Sequence, residues 1–373
     1  MGKFKSIGCI TLVLVLAVAA GCGFNEAEGK EIDVGGKKIT VLETKPPTQS
    51  ENPGTVDAAI EKIDKYAGIR GEDWLSEESI LVTKENSKLK PISVLDQMSV
   101  IRNLYAYQLK SGDMKSILGE TDYMWMPIVS PDGKHIFSEN LKPGKYSGLI
   151  LDLEGNIKAS VADDPAKGFH ISYSNARWVN NEEVIVPSSG EGVCLINVNS
   201  TITKIENIGR MQTDYAEKVG NKIYYISVER NLMAYDISTK KREIVKQSVF
   251  NFVLSPNKDM FAIEKKVSES KNSLVLIDLN GNEKAALTEA KMIYGMSWSP
   301  DQTKLVYLIN SDKESKSGLY IMDLASKKSL YVPNFANIDN SVKWSPASKK
   351  ILASIGEVKD MKLIDNTYVI TLK

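Results

Sequence analysis

Histidine is nearly absent from this chain: His135 and His170 are the only two in 373 residues. A catalytic metal centre needs a cluster of His or carboxylate ligands, so metal-dependent chemistry is poorly supplied. His135 falls in a turn, where the expected place is solvent. Cysteine is scarce too, with three. Only Cys194 lies beyond the first 22 residues, so a mature domain has no pair for an intramolecular disulfide. Cys194 stands in an apolar run, 193–198, and reads as a small buried hydrophobe. Net charge is also missing, since 47 basic residues balance 47 acidic ones. Loss of Lys3 and Lys5 with an N-terminal leader would leave a charge of about −2. Nucleic-acid partners ask for a clustered basic surface, and none is written here. No G-x-S-x-G elbow occurs. The Ser-x-x-Lys matches at 87–90 and 268–271 sit in polar loops rich in both residues, where chance supplies them. No catalytic residue, cofactor or metal site is therefore assigned.

What is present begins with the leader. Lys3 and Lys5 precede an apolar run over 7–20, which is 14 residues long. A bilayer span needs about 20, whereas a secretory h-region has this shorter length. The run ends in Ala19-Ala20-Gly21-Cys22, which resembles the bacterial lipobox, with Ala where Leu is favoured. That resemblance implies a signal peptide over 1–21 and a diacylglycerol thioether on Cys22. Acyl chains there would hold the protein on the outer side of the cell membrane. Ordinary secretion with an incidental Cys22 is the competing reading. Residues 22–30 read as a tether. Residues 38–42 read as a strand after the Gly35-Gly36 turn, and 44–55 as a Pro- and Ser-rich loop. Residues 56–67 show weak helical spacing.

From residue 72 a repeat takes over, clearest at 294–332. A strand ends at Trp298, Ser299-Pro300-Asp301-Gln302 turns the chain, and β-rich runs follow at 304–310, 319–324 and 328–332. The same anchor recurs at Trp74-Leu75-Ser76, Val129-Ser130-Pro131-Asp132-Gly133 and Trp178-Val179-Asn180. It is weak at 216–220 and returns at Leu254-Ser255-Pro256-Asn257 and Trp344-Ser345-Pro346. Anchors 38 to 55 residues apart match the length of a four-stranded propeller blade. Seven copies are countable, although six or eight blades fit a fourth copy without a turn motif. The seventh copy ends before a fourth strand, which leaves an unpaired edge. An all-β propeller of seven four-stranded blades is expected over 56–373, its last blade closed by an N-terminal strand. Within 31–55, residues 38–42 are the expected clasp.

These residues resemble the TolB-like propellers, whose repeat is roughly W-S-P-D-G-x-x-I-x-F followed by L-Y-x-M-D-L. Ser130-Pro131-Asp132-Gly133 and Leu319-Tyr320-Ile321-Met322-Asp323-Leu324 carry the match, while the third and fourth copies depart from it. The resemblance implies a fold over about 70–373 and no particular function. Pro and Asp in the corners read as turn formers. The Trp residues read as wedges between blades. Asp152-Leu153-Glu154-Gly155-Asn156 and Asp278-Leu279-Asn280-Gly281-Asn282 read as hairpin turns rather than Ca²⁺ loops.

On this map the fourth-to-first and second-to-third strand loops form the expected working face. It would carry Tyr123, Trp125, Phe169, His170, Arg210, Asp214, Tyr215, Phe250, Tyr294, Phe335 and Asp339, with the loop at 85–100 as a further surface. Aromatics with a few charges suit a protein, peptide or cell-wall glycan. The expectation is a monomeric, membrane-anchored binding module. A propeller enzyme of glycan lyase or hydrolase type, using two carboxylates at the channel mouth, is the alternative.

Overall fold

The computed structural model of the chain describes residues 29–34, 37–42, 60–94, 97–119, 123–142, 145–163, 175–188, 192–336, 338, 342–359 and 362–373. The leader, Cys22, His170 and Asp339 lie outside them, as does the side chain of Asp214. The chain divides into two compact units, Met1–Gly54 and Thr55–Lys373. In the first, Gly29–Val34 pairs antiparallel with Lys37–Leu42, with Ile32 opposite Ile39.

The second unit is a seven-bladed β-propeller. Each repeat of the sequence folds into one antiparallel four-stranded sheet, and the strands of six blades follow one another in chain order. The innermost strands are Arg70–Trp74, Met124–Val129, Arg177–Trp178, Met211–Val219, Val249–Leu254, Met292–Trp298 and Lys343–Trp344. These define blades one to seven. Blade one holds an extra hairpin, Ile92–Val94 with Gln97–Ser99, between its second and third strands. That hairpin is the structure within the 85–100 loop.

Serine, more than Asp, brackets the corner that repeats. Ser130, Ser255, Ser299 and Ser345 are all buried. Each hydroxyl accepts the backbone N–H five residues on, from His135, Met260, Lys304 and Lys350, at 2.9 to 3.1 Å. Each serine carbonyl also accepts the N–H three residues on, at 2.8 or 2.9 Å. That third residue has positive φ in every copy: Gly133, Lys258, Gln302 and Ser348. Four corners of different sequence thus share one hydrogen-bond pattern, which is why so degenerate a motif still specifies one shape.

Blade seven is completed from the other end of the chain, but not by the expected strand. Its outermost strand is Ile60–Ala67, which pairs antiparallel with Lys362–Leu372 from Ile60 opposite Leu372 to Ala67 opposite Asn366. This corrects two readings at once. Residues 38–42 are not the clasp, and the weak helical spacing of 56–67 covers a strand. An outer strand buries little, so Ile60, Ile63 and Ala67 need no clean alternation; Ile63 is 44% exposed. Gly68 and Ile69 then lead directly into the inner strand of blade one. The covalent chain itself therefore ties blade seven to blade one.

Between blades the cores are separate apolar seams. One joins Val306, Leu308, Leu319 and Ile321 of blade six to Trp344, Ile351 and Ile370 of blade seven. Another joins Ile69, Trp74, Ile80 and Val82 of blade one to Leu352 and Val369 of blade seven, across the closure. Each fully buried aliphatic side chain contributes about 1.5–3 kcal/mol, so the seams are the main source of the ring's stability.

Candidate functional site

The inner strands end at one mouth of the channel, and there a cavity of about 620 Å³ opens. All seven blades line it, which fixes its position on the propeller axis. Its wall holds the four repeat indoles, Trp74, Trp178, Trp298 and Trp344, and the corner prolines Pro131, Pro256, Pro300 and Pro346. The indoles follow a rule. Each N–H donates to the carbonyl one residue before the equivalent anchor of the preceding blade. Trp74 reaches Lys343, Trp344 reaches Ser297, Trp298 reaches Val253 and Trp178 reaches Ile128, at 3.0 to 3.3 Å. The rings wedge between blades and present their edges to the cavity.

Charge enters the cavity at Asp73, Glu217, Lys218 and Lys258, and the first of these directly precedes a repeat tryptophan. Side chains alternate along a strand, so when Trp packs into a seam the preceding residue turns the other way. Asp73, Arg177 and Lys343 hold that position. Asp73 accepts the N–H of Val129 at 3.0 Å, and Lys343 Nζ lies 3.9 Å from its carboxylate. Enclosure pushes the Lys343 ammonium pKa down, with Asp73 opposing. Across the channel, Tyr215 donates to Glu217 Oε1 at 2.5 Å, and the Arg177 guanidinium sits 4.6 Å from the Tyr215 ring centroid. Burial pushes the Glu217 carboxyl up despite Arg177 and pushes the Tyr215 phenol well up. Lys258, also in the wall, donates to the carbonyl of Val179. The cavity is therefore polar within and aromatic at its seams, with acids and bases both represented.

The residues expected on the opposite face are scattered. Tyr123 is buried and packs edge-on against Trp125 at 5.9 Å. The Trp125 indole N–H is buried without an acceptor, beside a 30 Å³ cavity that also touches Arg70 and Arg102. Tyr215 belongs to the axial cluster just described. Tyr294 is half-buried and donates to the carbonyl of Ala336, and Phe335 is buried against Tyr368. Phe250 lies under the guanidinium of Arg230 at 4.9 Å. Arg210 is exposed in a second pocket of about 500 Å³ on blade four. No common site gathers the candidates that the structure describes. His135, expected in solvent, is half-buried with its ring 6.3 Å from that of Trp178, and its Nδ1 has no partner.

The two hairpins with a Ca²⁺-loop appearance are turns. Asp152 Oδ1 accepts the N–H groups of Glu154 and Asn156, and Asp278 Oδ1 accepts those of Asn280 and Asn282. The Asn156 and Asn282 side-chain amides donate to the other oxygens at 2.9 Å, which lysines share, Lys158 at 3.0 Å and Lys284 at 2.9 Å. Those bonds hold both carboxyls well below the usual carboxylate range.

No family model matches the sequence. Among solved structures, an oligogalacturonate lyase from Vibrio parahaemolyticus is similar at a TM-score of 0.60 and 8% identity, covering 84% of this chain and 98% of that one. An oligogalacturonate lyase in complex with manganese is similar at 0.58 and 12%, covering 85% and 97%. A TolB from Acinetobacter baumannii matches at 0.46 and 16%, covering 70% and 64%. The likeness to the two lyases is one of fold alone. Among the described residues no three His, Cys, Asp or Glu side chains group to hold a metal ion.

Proposed function

We propose that this chain is a lipid-anchored binding protein on the outer side of a bacterial cell membrane, which receives a peptide, protein segment or wall glycan at the axial cavity. The observation that carries the reading is the cavity itself: about 620 Å³, preformed, shared by seven blades and lined by fixed aromatic and charged groups. Loops held on a rigid ring lose little ordering entropy when a ligand arrives. The lipobox-like segment at 19–22 supports the anchoring half of the reading. Changing Cys22 to Ala should move the protein from the membrane fraction to the soluble one; retention in the membrane defeats that half. For the binding half, a photo-crosslinking residue at Asn181, exposed on the cavity wall, should capture an adduct in intact cells. The same group at Lys284, on an outer hairpin, should not. Equal capture at both positions, or none at either, rejects the cavity as the site.

An enzymatic reading has one specific observation behind it. Asp73 and Glu217 both line the cavity, and Glu217 is the kind of buried, raised carboxyl that serves as a general acid. Any glycan-cleaving activity by this route should fall by at least about a hundredfold in Glu217→Gln. Unchanged cleavage in that variant excludes it.

A further inference from the structure

Arginine is rare in this chain and unevenly placed. There are six, at 70, 102, 177, 210, 230 and 242, among 47 basic residues. Three lie on blades one and three and are already engaged. Arg70 lies 3.5 Å from Glu72, Arg102 pairs with Asp365 at 2.6 Å, and Arg177 covers Tyr215. The other three collect on blade four. Arg210 and Arg242 both line the pocket of about 500 Å³, and Arg230 stands in the hairpin between its lining residues Glu229 and Asn231. Among the described residues neither Arg210 nor Arg242 has an ion-pair partner.

The pocket is built to bring these groups together. Gly209 has φ +106°, and a Cβ there would lie 2.8 Å from the Tyr225 hydroxyl and 3.0 Å from Arg242 Nη1. Only glycine lets the loop that carries Arg210 approach the Arg242 guanidinium so closely. The Tyr225 hydroxyl donates to the carbonyl of Ile208 and so pins the same loop. Arg230 adopts φ +62° and lays its guanidinium over Phe250. One acid, Glu229, also lines the pocket, and against the two arginines it leaves the lining with a net positive charge. Two like charges sharing one concave surface repel, and an anion between them removes that cost. The guanidinium fork matches a planar or tetrahedral oxyanion as an ammonium does not. Val228 and Ile244, 43% and 52% exposed, add apolar surface in the same lining.

We propose that this pocket on blade four binds an organic anion, with an oxyanion head held by Arg210 and Arg242 and an apolar body against Val228 and Ile244. The site is separate from the axial cavity, and its failure would leave that reading untouched. The test is calorimetric titration of the purified full chain with phenyl phosphate and with inorganic phosphate at low salt. Phenyl phosphate should bind saturably and more tightly than inorganic phosphate, and binding should weaken as salt rises. Arg210→Gln and Arg242→Gln should each weaken it by about tenfold or more, while Lys222→Gln, on the same blade, should not. Should either glutamine variant unfold, Arg210→Lys serves instead, since it keeps the charge and loses the fork, and binding should still drop. Absence of saturable binding, equal affinity for the two probes, or affinity unmoved by the arginine substitutions overturns the proposal.

Discussion

At the scale of single residues, the four repeat tryptophans hold the ring through direction as much as bulk. Each indole N–H crosses a seam to a backbone carbonyl on the inner strand of the preceding blade. Replacing Trp298 by Phe keeps an aromatic ring and removes the donor that reaches the carbonyl of Val253. The expected loss is roughly 2 kcal/mol, from one cross-seam hydrogen bond and a smaller ring. Urea denaturation checks it; a midpoint unchanged in Trp298→Phe would show that these bonds are incidental to packing. The tryptophans were legible in the sequence as wedges, and so were the Pro corners. The charges beside them were not singled out, because a lone Asp73, Arg177 or Lys343 looks like any solvated residue. The charge before a repeat Trp recurs in three copies, at Asp73, Arg177 and Lys343, and that recurrence is the signal that could have set these residues apart.

At the scale of strands, the sequence revealed that blade seven lacks a partner but not which strand supplies it. Residues 38–42 (ITVL after Lys38) have the stronger β-composition, whereas Ile60–Ala67 carries five charged or polar residues among eight. β-propensity measures fit to a half-buried surface, and the outermost position of a blade asks for little burial. Chain length decides instead: Gly68 and Ile69 span the step from the clasp to the inner strand of blade one. A chain beginning at residue 55 should therefore melt with the full-length protein. One beginning at residue 69 should lose roughly 5–10 °C, at about 0.5–1 kcal/mol for each lost ladder bond, and should aggregate through its bare edge. Equal melting of the two truncated chains would refute the assignment of the clasp. A smaller inter-strand device is Glu283 on the fourth strand of blade five, which meets Lys265 of its own blade at 2.8 Å and Lys246 of blade four at 2.9 Å. Those two lysines hold its carboxyl down to about 2. A lowered acid pKa stabilises the folded state above the ordinary value and loses that effect as pH falls through the folded one. Glu283→Gln should thus cost stability at pH 7 and nothing near pH 2. With the side chain 43% exposed, the cost is at most about 0.5–1 kcal/mol. A pH-independent difference between the variant and the parent would exclude the pairing.

At the scale of the whole ring, closure is a property of connectivity as well as of contacts. Each seam joins only neighbouring blades, so a propeller opened at one seam resembles a linear array whose parts unfold in turn. Here the seam between blades seven and one is crossed by the chain at Ala67–Arg70 as well as by the core around Trp74 and Leu352. Circular rearrangement separates the two contributions. Ile60 lies opposite Leu372, so the clasp strand can be moved behind Lys373 and joined to it by a short Asn-Gly turn. Such a chain keeps every strand pair of blade seven and loses the covalent crossing into blade one. If that crossing makes unfolding all-or-none, the rearranged protein should keep its circular dichroism spectrum at rest. It should then unfold in urea at a lower midpoint and over a broader range, with a smaller apparent m-value. If the two unfolding curves superimpose, the apolar seams alone close the ring, and the clasp matters only as the missing fourth strand of its blade.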